Sequence, residues 1–212
     1  KHTRFKRKIT YLPNFVRLES FSPEYEAEDK SIVYFGRLAE EKGLYVLIDA
    51  VKNIKGIKLK IIGSGPLETE IKNKIKTENV ENVILLGTKE GEDLKDEIRK
   101  SMFVVLPSKW YENNPRSIIE AFALGKPVIG SRLGGIPELV KDNETGLTFE
   151  RNNPHDLRTK IEYLINNPDK IIEMGRNARL FVEKEFNAEK YYQGLMKIYN
   201  QIISHRLKIL DK

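Results

Sequence analysis

Residues 108–140 read SKWYENNPRSIIEAFALGKPVIGSRLGGIPELV. Two carboxylates, Glu112 and Glu120, are separated by Asn113, Asn114, Pro115, Arg116 and Ser117, and then by an apolar run. Asn suits a helix cap and Pro the first helical position, so a helix is expected to begin near Pro115. Its first turn would present free N–H groups and the positive end of the helix dipole, the arrangement that suits anionic or polyhydroxylated ligands. Glu120 is the one charge in IIEAFAL, in a chain in which 32% of residues are charged. A half-buried carboxylate there needs hydrogen-bond donors, such as ligand hydroxyls; the other reading puts it at the edge of an amphipathic helix, facing water. Gly125-Lys126-Pro127 ends the helix, Val128 to Gly130 makes a short strand, and Gly134-Gly135 turns the chain into a further helix with Pro137 at its start. Trp110 and Tyr111 are expected to be packing residues.

Upstream, SIVYFG (31–36) reads as a buried strand. After it, Leu44, Leu47, Ile48 and Val51 recur at helical spacing. Further strands are expected at Lys58 to Ile62, Val83 to Leu86 and Met102 to Leu106, separated by a helix carrying Leu67, Ile71 and Ile75 and by a surface helix over 91–100. Gly146 to Phe149 forms a last strand, and from Pro154 onward three helices follow, the final one ending near His205. Strands that alternate with helices imply an α/β fold with a parallel, Rossmann-like sheet covered on both faces. In such sheets ligands bind beyond the carboxyl ends of the strands. Arg37 and Lys42, on the loop GRLAEEKG, stand there and could neutralise a diphosphate without metal; as an isolated pair they would be ordinary surface charges. The turn GSGPLE has Glu68 where a dinucleotide fingerprint has its third glycine, so it reads as a tight turn.

The Glu112–Glu120 spacing, the Gly-Lys-Pro-Val-Ile strand entry and Gly134-Gly135-Ile136-Pro137-Glu138 together resemble the donor site of retaining glycosyltransferases with the GT-B fold, in the large group 1 family that includes sucrose synthase, glycogen synthase and bacterial mannosyltransferases. The resemblance implies that Glu112 contacts the transferred sugar with help from the N–H groups of residues 113 to 117. It implies that Glu120 binds ribose hydroxyls and that Gly36, Arg37 and Lys42 grip the pyrophosphate. Thr88 and Lys89, just past the third strand, correspond to backbone that meets the base. Asn113 and Asn114 depart from the usual glycine and bulky apolar residue, and Arg116 from a common apolar one, which bears on the identity of the sugar. ITYLPNFVRLESF is similar to the strand that opens the C-terminal half of these enzymes just after the interdomain linker. Residues 187–212 resemble their terminal helix. The chain is thus expected to be a single donor-binding domain over 1–212, lacking the N-terminal acceptor half. The implied reaction moves a hexose-type sugar from a nucleoside-diphosphate sugar to a glycan, lipid or small molecule; a nucleotide-sugar epimerase domain or an NAD-binding module is the alternative.

The 212 residues include no Cys, which excludes disulfides and thiolate chemistry. With no Asp-x-Asp pair and three scattered His, no metal and no cofactor is expected. No apolar run reaches membrane-spanning length, and the chain is read as soluble. The net charge is +6, yet only KHTRFKRK (1–8) is purely basic, and it reads as a solvated arm near the interdomain linker. Nucleic acid is not an expected partner. The expected setting is the cytoplasm, with peripheral contact to the inner membrane face through the missing half. The absence of an initial Met fits a fragment.

Overall fold

The computed structural model describes residues 9–210; the basic arm falls outside them. Six parallel strands, β1 (Ser31–Phe35), β2 (Lys58–Ile62), β3 (Val83–Gly87), β4 (Val104–Leu106), β5 (Val128–Ser131) and β6 (Gly146–Phe149), form one sheet in the order β3-β2-β1-β4-β5-β6. Each crossover carries a helix: α1 (Leu44–Val51), α2 (Glu68–Thr77), α3 (Gly91–Lys100), α4 (Arg116–Ala123) and α5 (Ile136–Leu139). Then α6 (Pro154–Ile165), α7 (Pro168–Glu185) and α8 (Ala188–Leu210) complete the chain. Among the described residues no helix is long and apolar enough to cross a membrane.

Because side chains alternate along a strand, β1 feeds two cores. Ile32 and Tyr34 join the residues of α1, α2 and α6 on one face, while Val33 and Phe35 join those of α3, α4, α5 and α7 on the other. All five positions of β1 are buried, as a central strand covered on both faces requires. The spacing of Leu44, Leu47, Ile48 and Val51 turns this stripe of α1 wholly into the first core. Ile118, Ile119 and Phe122 of α4 enter the second. At the end of α4, Arg179 from α7 donates to the carbonyl of Ala123 at 2.5 Å and to that of Phe21 at 2.7 Å, supplying the donor that the last helical turn lacks.

Three expectations need correction. The segment around LPNFV is not a strand: a single bridge joins Val16 to Asn187, and a short 3-10 turn follows at Leu18–Ser20. Pro13, which has no N–H, cannot donate to a ladder. Trp110 and Tyr111 are not packing residues, since they are 70% and 80% exposed. Helix α4 begins at Arg116, near where it was expected, but Pro115 and not an asparagine occupies the cap, with φ −68° and ψ 119°, and no side chain caps the helix. The extended ψ of Pro115 delays the first helical turn by one residue.

Candidate active site

Strand order reverses at β1: β2 and β3 lie to one side, β4 to β6 to the other. The loops leaving β1 and β4 therefore diverge to opposite sides and leave a crevice beyond their carboxyl ends, the usual ligand position in open α/β sheets. The β1 loop carries Gly36, Arg37 and Lys42, and the β4 loop carries Glu112 through Pro115. Across this reversal the Lys42 ammonium donates to Glu112 Oε1 at 2.5 Å. Ser108 Oγ donates to the same oxygen at 2.7 Å, and Ser131 Oγ holds the Ser108 carbonyl at 2.7 Å. One carboxylate oxygen of Glu112 is thus fixed by two donors.

The loops are pinned as well as paired. Lys109 N–H donates to Glu41 O at 2.8 Å, tying the β4 loop to the β1 loop, and Gly135 N–H donates to Glu112 O at 2.7 Å, tying it to the β5 loop. A Cβ at position 135 would lie 1.9 Å from Asn113 O, so only glycine permits this approach. The first use of Gly135 is to press on the loop that presents Glu112. Asn114 is buried and turned the other way: its carboxamide oxygen accepts from Asn14 N–H at 2.8 Å and its carbonyl from the Asn14 side chain at 2.6 Å. It therefore anchors the incoming chain, and its expected place as a helix cap is corrected. Asn113 is exposed and Ser117 half-buried.

Gly36, Arg37, Thr88 and Lys89 line one cavity of about 320 Å³ with Gly63, Ser64 and Leu94, beyond β1, β2 and β3. Arg37 is exposed and makes no ion pair among the described residues. Its carbonyl accepts from the buried hydroxyl of Tyr34 at 2.7 Å, which fixes the turn after β1. Burial, with Glu112 and Glu41 nearby, holds the Tyr34 phenol well above its ordinary range and keeps it a donor. Lys89 is tied to Glu97 at 3.2 Å. In the GSGP turn a Cβ on Gly65 would lie 2.4 Å from Leu38 O; that glycine serves packing between the β1 and β2 loops.

Glu120 stands apart from the Lys42–Glu112 pair. Its side chain is 22% exposed and meets Arg116 at 3.2 Å, one helical turn back. Burial raises its carboxyl above the usual carboxylate range, while Arg116 and Lys95 pull it down. It is thus neither free in water nor fully supplied with donors, which leaves acceptor capacity for hydroxyls. The structure brings Lys42 to Glu112 and gathers Gly36, Arg37, Thr88 and Lys89 around one cavity; it joins Glu120 to neither by direct contact. Ser108, Ser131, Tyr34 and Asn14 were missed from the sequence. Only Ser108, a hydroxyl just past the strand-ending Pro107, gave a local signal.

Residues 17–181 match the family model described as Glycosyl transferases group 1. An uncharacterized glycosyltransferase of Methanocaldococcus jannaschii is 38% identical over 170 residues, covering 80% of this chain and 48% of that protein. Sucrose-phosphate synthase from Thermosynechococcus elongatus superposes with a TM-score of 0.84 at 26% identity over 95% of this chain and 56% of its own. TarM of Staphylococcus aureus, solved with UDP, gives 0.82 at 27% over 91% and 39%. The chain spans about half the length of the curated relatives it matches, with 48%, 44% and 49% of the first three. The Rossmann-like sheet is that of one half of a GT-B architecture. A family match across the whole sheet, joined to the pairing of Lys42 with Glu112 at the strand reversal, leads to one conclusion: the chain belongs to the group 1 glycosyltransferases.

Proposed function

We propose that this chain is the nucleotide-sugar donor half of a retaining, metal-independent glycosyltransferase that moves a hexose-type sugar to a glycan, lipid or small-molecule acceptor, and that acceptor recognition belongs to a separate N-terminal half. The observation that carries this reading is the juxtaposition of Lys42 with Glu112 across the strand reversal, Lys42 standing on the same β1 loop that sends Arg37 into the cavity beyond β1, β2 and β3. The diphosphate would lie between Arg37 and Lys42, where a guanidinium and an ammonium stabilise the charge that grows on the leaving group as the glycosidic bond breaks. Glu112 would orient the sugar with the N–H groups at the start of α4, which no side chain caps. Glu120 would accept ribose hydroxyls. A cytoplasmic setting, with membrane contact made through the other half, goes with this reading.

TarM, solved with UDP, makes UDP a reasonable first probe. The test is a thermal-shift panel of UDP, GDP and ADP and their sugars, with and without EDTA. One nucleotide series should stabilise the chain, equally with the chelator present, and the shift should shrink in Arg37→Ala. Stabilisation by none of them would remove the donor-site reading, and dependence on a divalent ion would remove the metal-independent mechanism.

A further inference from the structure

Lys42 and Glu112 are required by the proposed donor site for different parts of one ligand, yet in the structure they satisfy each other. The pair is only 25% and 20% exposed, so its attraction is screened less than that of a surface pair. The Lys109–Glu41 and Gly135–Glu112 backbone bonds hold the two loops together, so the side chains can part only by turning, not by the loops moving apart. Both donors converge on Oε1, and Oε2 accepts no hydrogen bond among the described residues.

We propose that the Lys42–Glu112 pair is a latch that discriminates a nucleotide sugar from the bare nucleoside diphosphate. A diphosphate gripped by Arg37 competes with Glu112 for the charge of Lys42, and as the ammonium turns toward the phosphates the partly buried carboxylate is left with Ser108 as its remaining close donor. A nucleotide sugar brings hydroxyls that can donate to Glu112 as Lys42 turns to the phosphates, so the cost of opening the pair is offset for the donor and not for the nucleotide left after transfer. Glu112 thereby limits retention of the spent nucleotide, in addition to touching the sugar. This inference rests on the donor-site reading above and adds a direction to it: the acid weakens binding of the sugarless nucleotide through one particular lysine.

The experiment is calorimetry of UDP and UDP-glucose with the chain and its Glu112→Gln, Lys42→Ala and doubly substituted forms. Glu112→Gln should bind UDP about fivefold more tightly, the scale of losing one charge-assisted competitor, while UDP-glucose binding stays level or weakens. In the Lys42→Ala background the same substitution should bring no gain for UDP. Unchanged or weaker UDP binding by Glu112→Gln overturns the latch and leaves the donor site standing. A gain that persists without Lys42 also overturns it, since plain repulsion between carboxylate and diphosphate would then account for the effect. Where the panel above selects GDP or ADP, that nucleotide and its glucose conjugate take the place of UDP; if the unsubstituted chain binds none of the three series, the donor-site reading falls and the latch falls with it.

Discussion

Lys126 is fully buried at the end of α4, and its ammonium donates to the carbonyl of Glu26 at 3.0 Å. Burial pulls its pKa down to about 8, even with Glu24, Glu28 and Asp29 nearby. In the unfolded chain a lysine titrates near ~10.4. Below the folded value both states keep the proton and the native state bears the whole burial cost. Between the two values the native state has released its proton and the unfolded state has not, so stability rises with pH across that window. Urea denaturation at pH 7 and pH 10 should therefore show unsubstituted chain gaining on Lys126→Met by on the order of 2–3 kcal/mol; a difference that does not change with pH would place the charge elsewhere. Arg37 carries a second prediction at this scale. Its side chain pairs with no acid among the described residues, and its turn is held by Tyr34, so Arg37→Ala should weaken nucleoside-diphosphate binding by about 1.5 to 3 kcal/mol with little change in melting temperature. Calorimetry giving equal affinities would take Arg37 out of the phosphate grip.

At the scale of elements, the loop from β4 to α4 is governed by its neighbours more than by its own residues. The β1 loop bonds it at Lys109, the β5 loop at Glu112, and the incoming segment at Asn114. Gly135→Ala would drive a methyl group against the Asn113 carbonyl, forcing the β5 loop away from Glu112. A loss of roughly 1 to 3 kcal/mol in stability is expected, together with weaker binding of UDP-glucose. Chemical denaturation and calorimetry of the same sample would check both, and an unaffected ligand affinity would mean that the β5 loop does not position Glu112. The asparagine contacts also explain why the helix cap was misread. Asn-Asn-Pro has the composition of a cap, but Asn114 spends its polar atoms on Asn14, a hundred positions away, and no local pattern reports such a partner.

For the whole molecule, the sheet holds a site assembled on one side only, and the chain covers about half the length of its curated relatives. The prediction at this scale is that the 212 residues bind a nucleotide sugar without transferring it, and that turnover appears only when an N-terminal half is joined to them. Transfer by the isolated chain to a simple glycoside acceptor, followed by NMR of the product's anomeric proton, would contradict that division of labour. An inverted product from the joined protein would contradict the retaining assignment.

Much of the fold was legible in the sequence because its cause is local. Strands at 58–62 and 146–149 fall where their apolar runs end, and the stripe of α1 follows from a 3.6-residue period. Strand β4 is shorter than its apolar run, since Met102 and Phe103 enter the sheet through bonds to β1 before the ladder begins. The candidate site was legible in its residue types and less so in its pairings. Exposure of Trp110 and Tyr111 ran against hydrophobicity, because the loop is pinned on either side of them and holds them out. By itself the sequence determined the six strands of the sheet and the helices between them, though not the irregular path around LPNFV, that they alternate, and which charged residues end up on loops; each follows from side-chain periodicity and backbone chemistry within a few residues. Only the tertiary structure decided that β1 and β4 lie side by side, that Lys42 meets Glu112 seventy positions away, and that Glu120 turns to Arg116. Those outcomes depend on which strand edges pair and which loops then touch, and that is settled by the packing of the whole sheet.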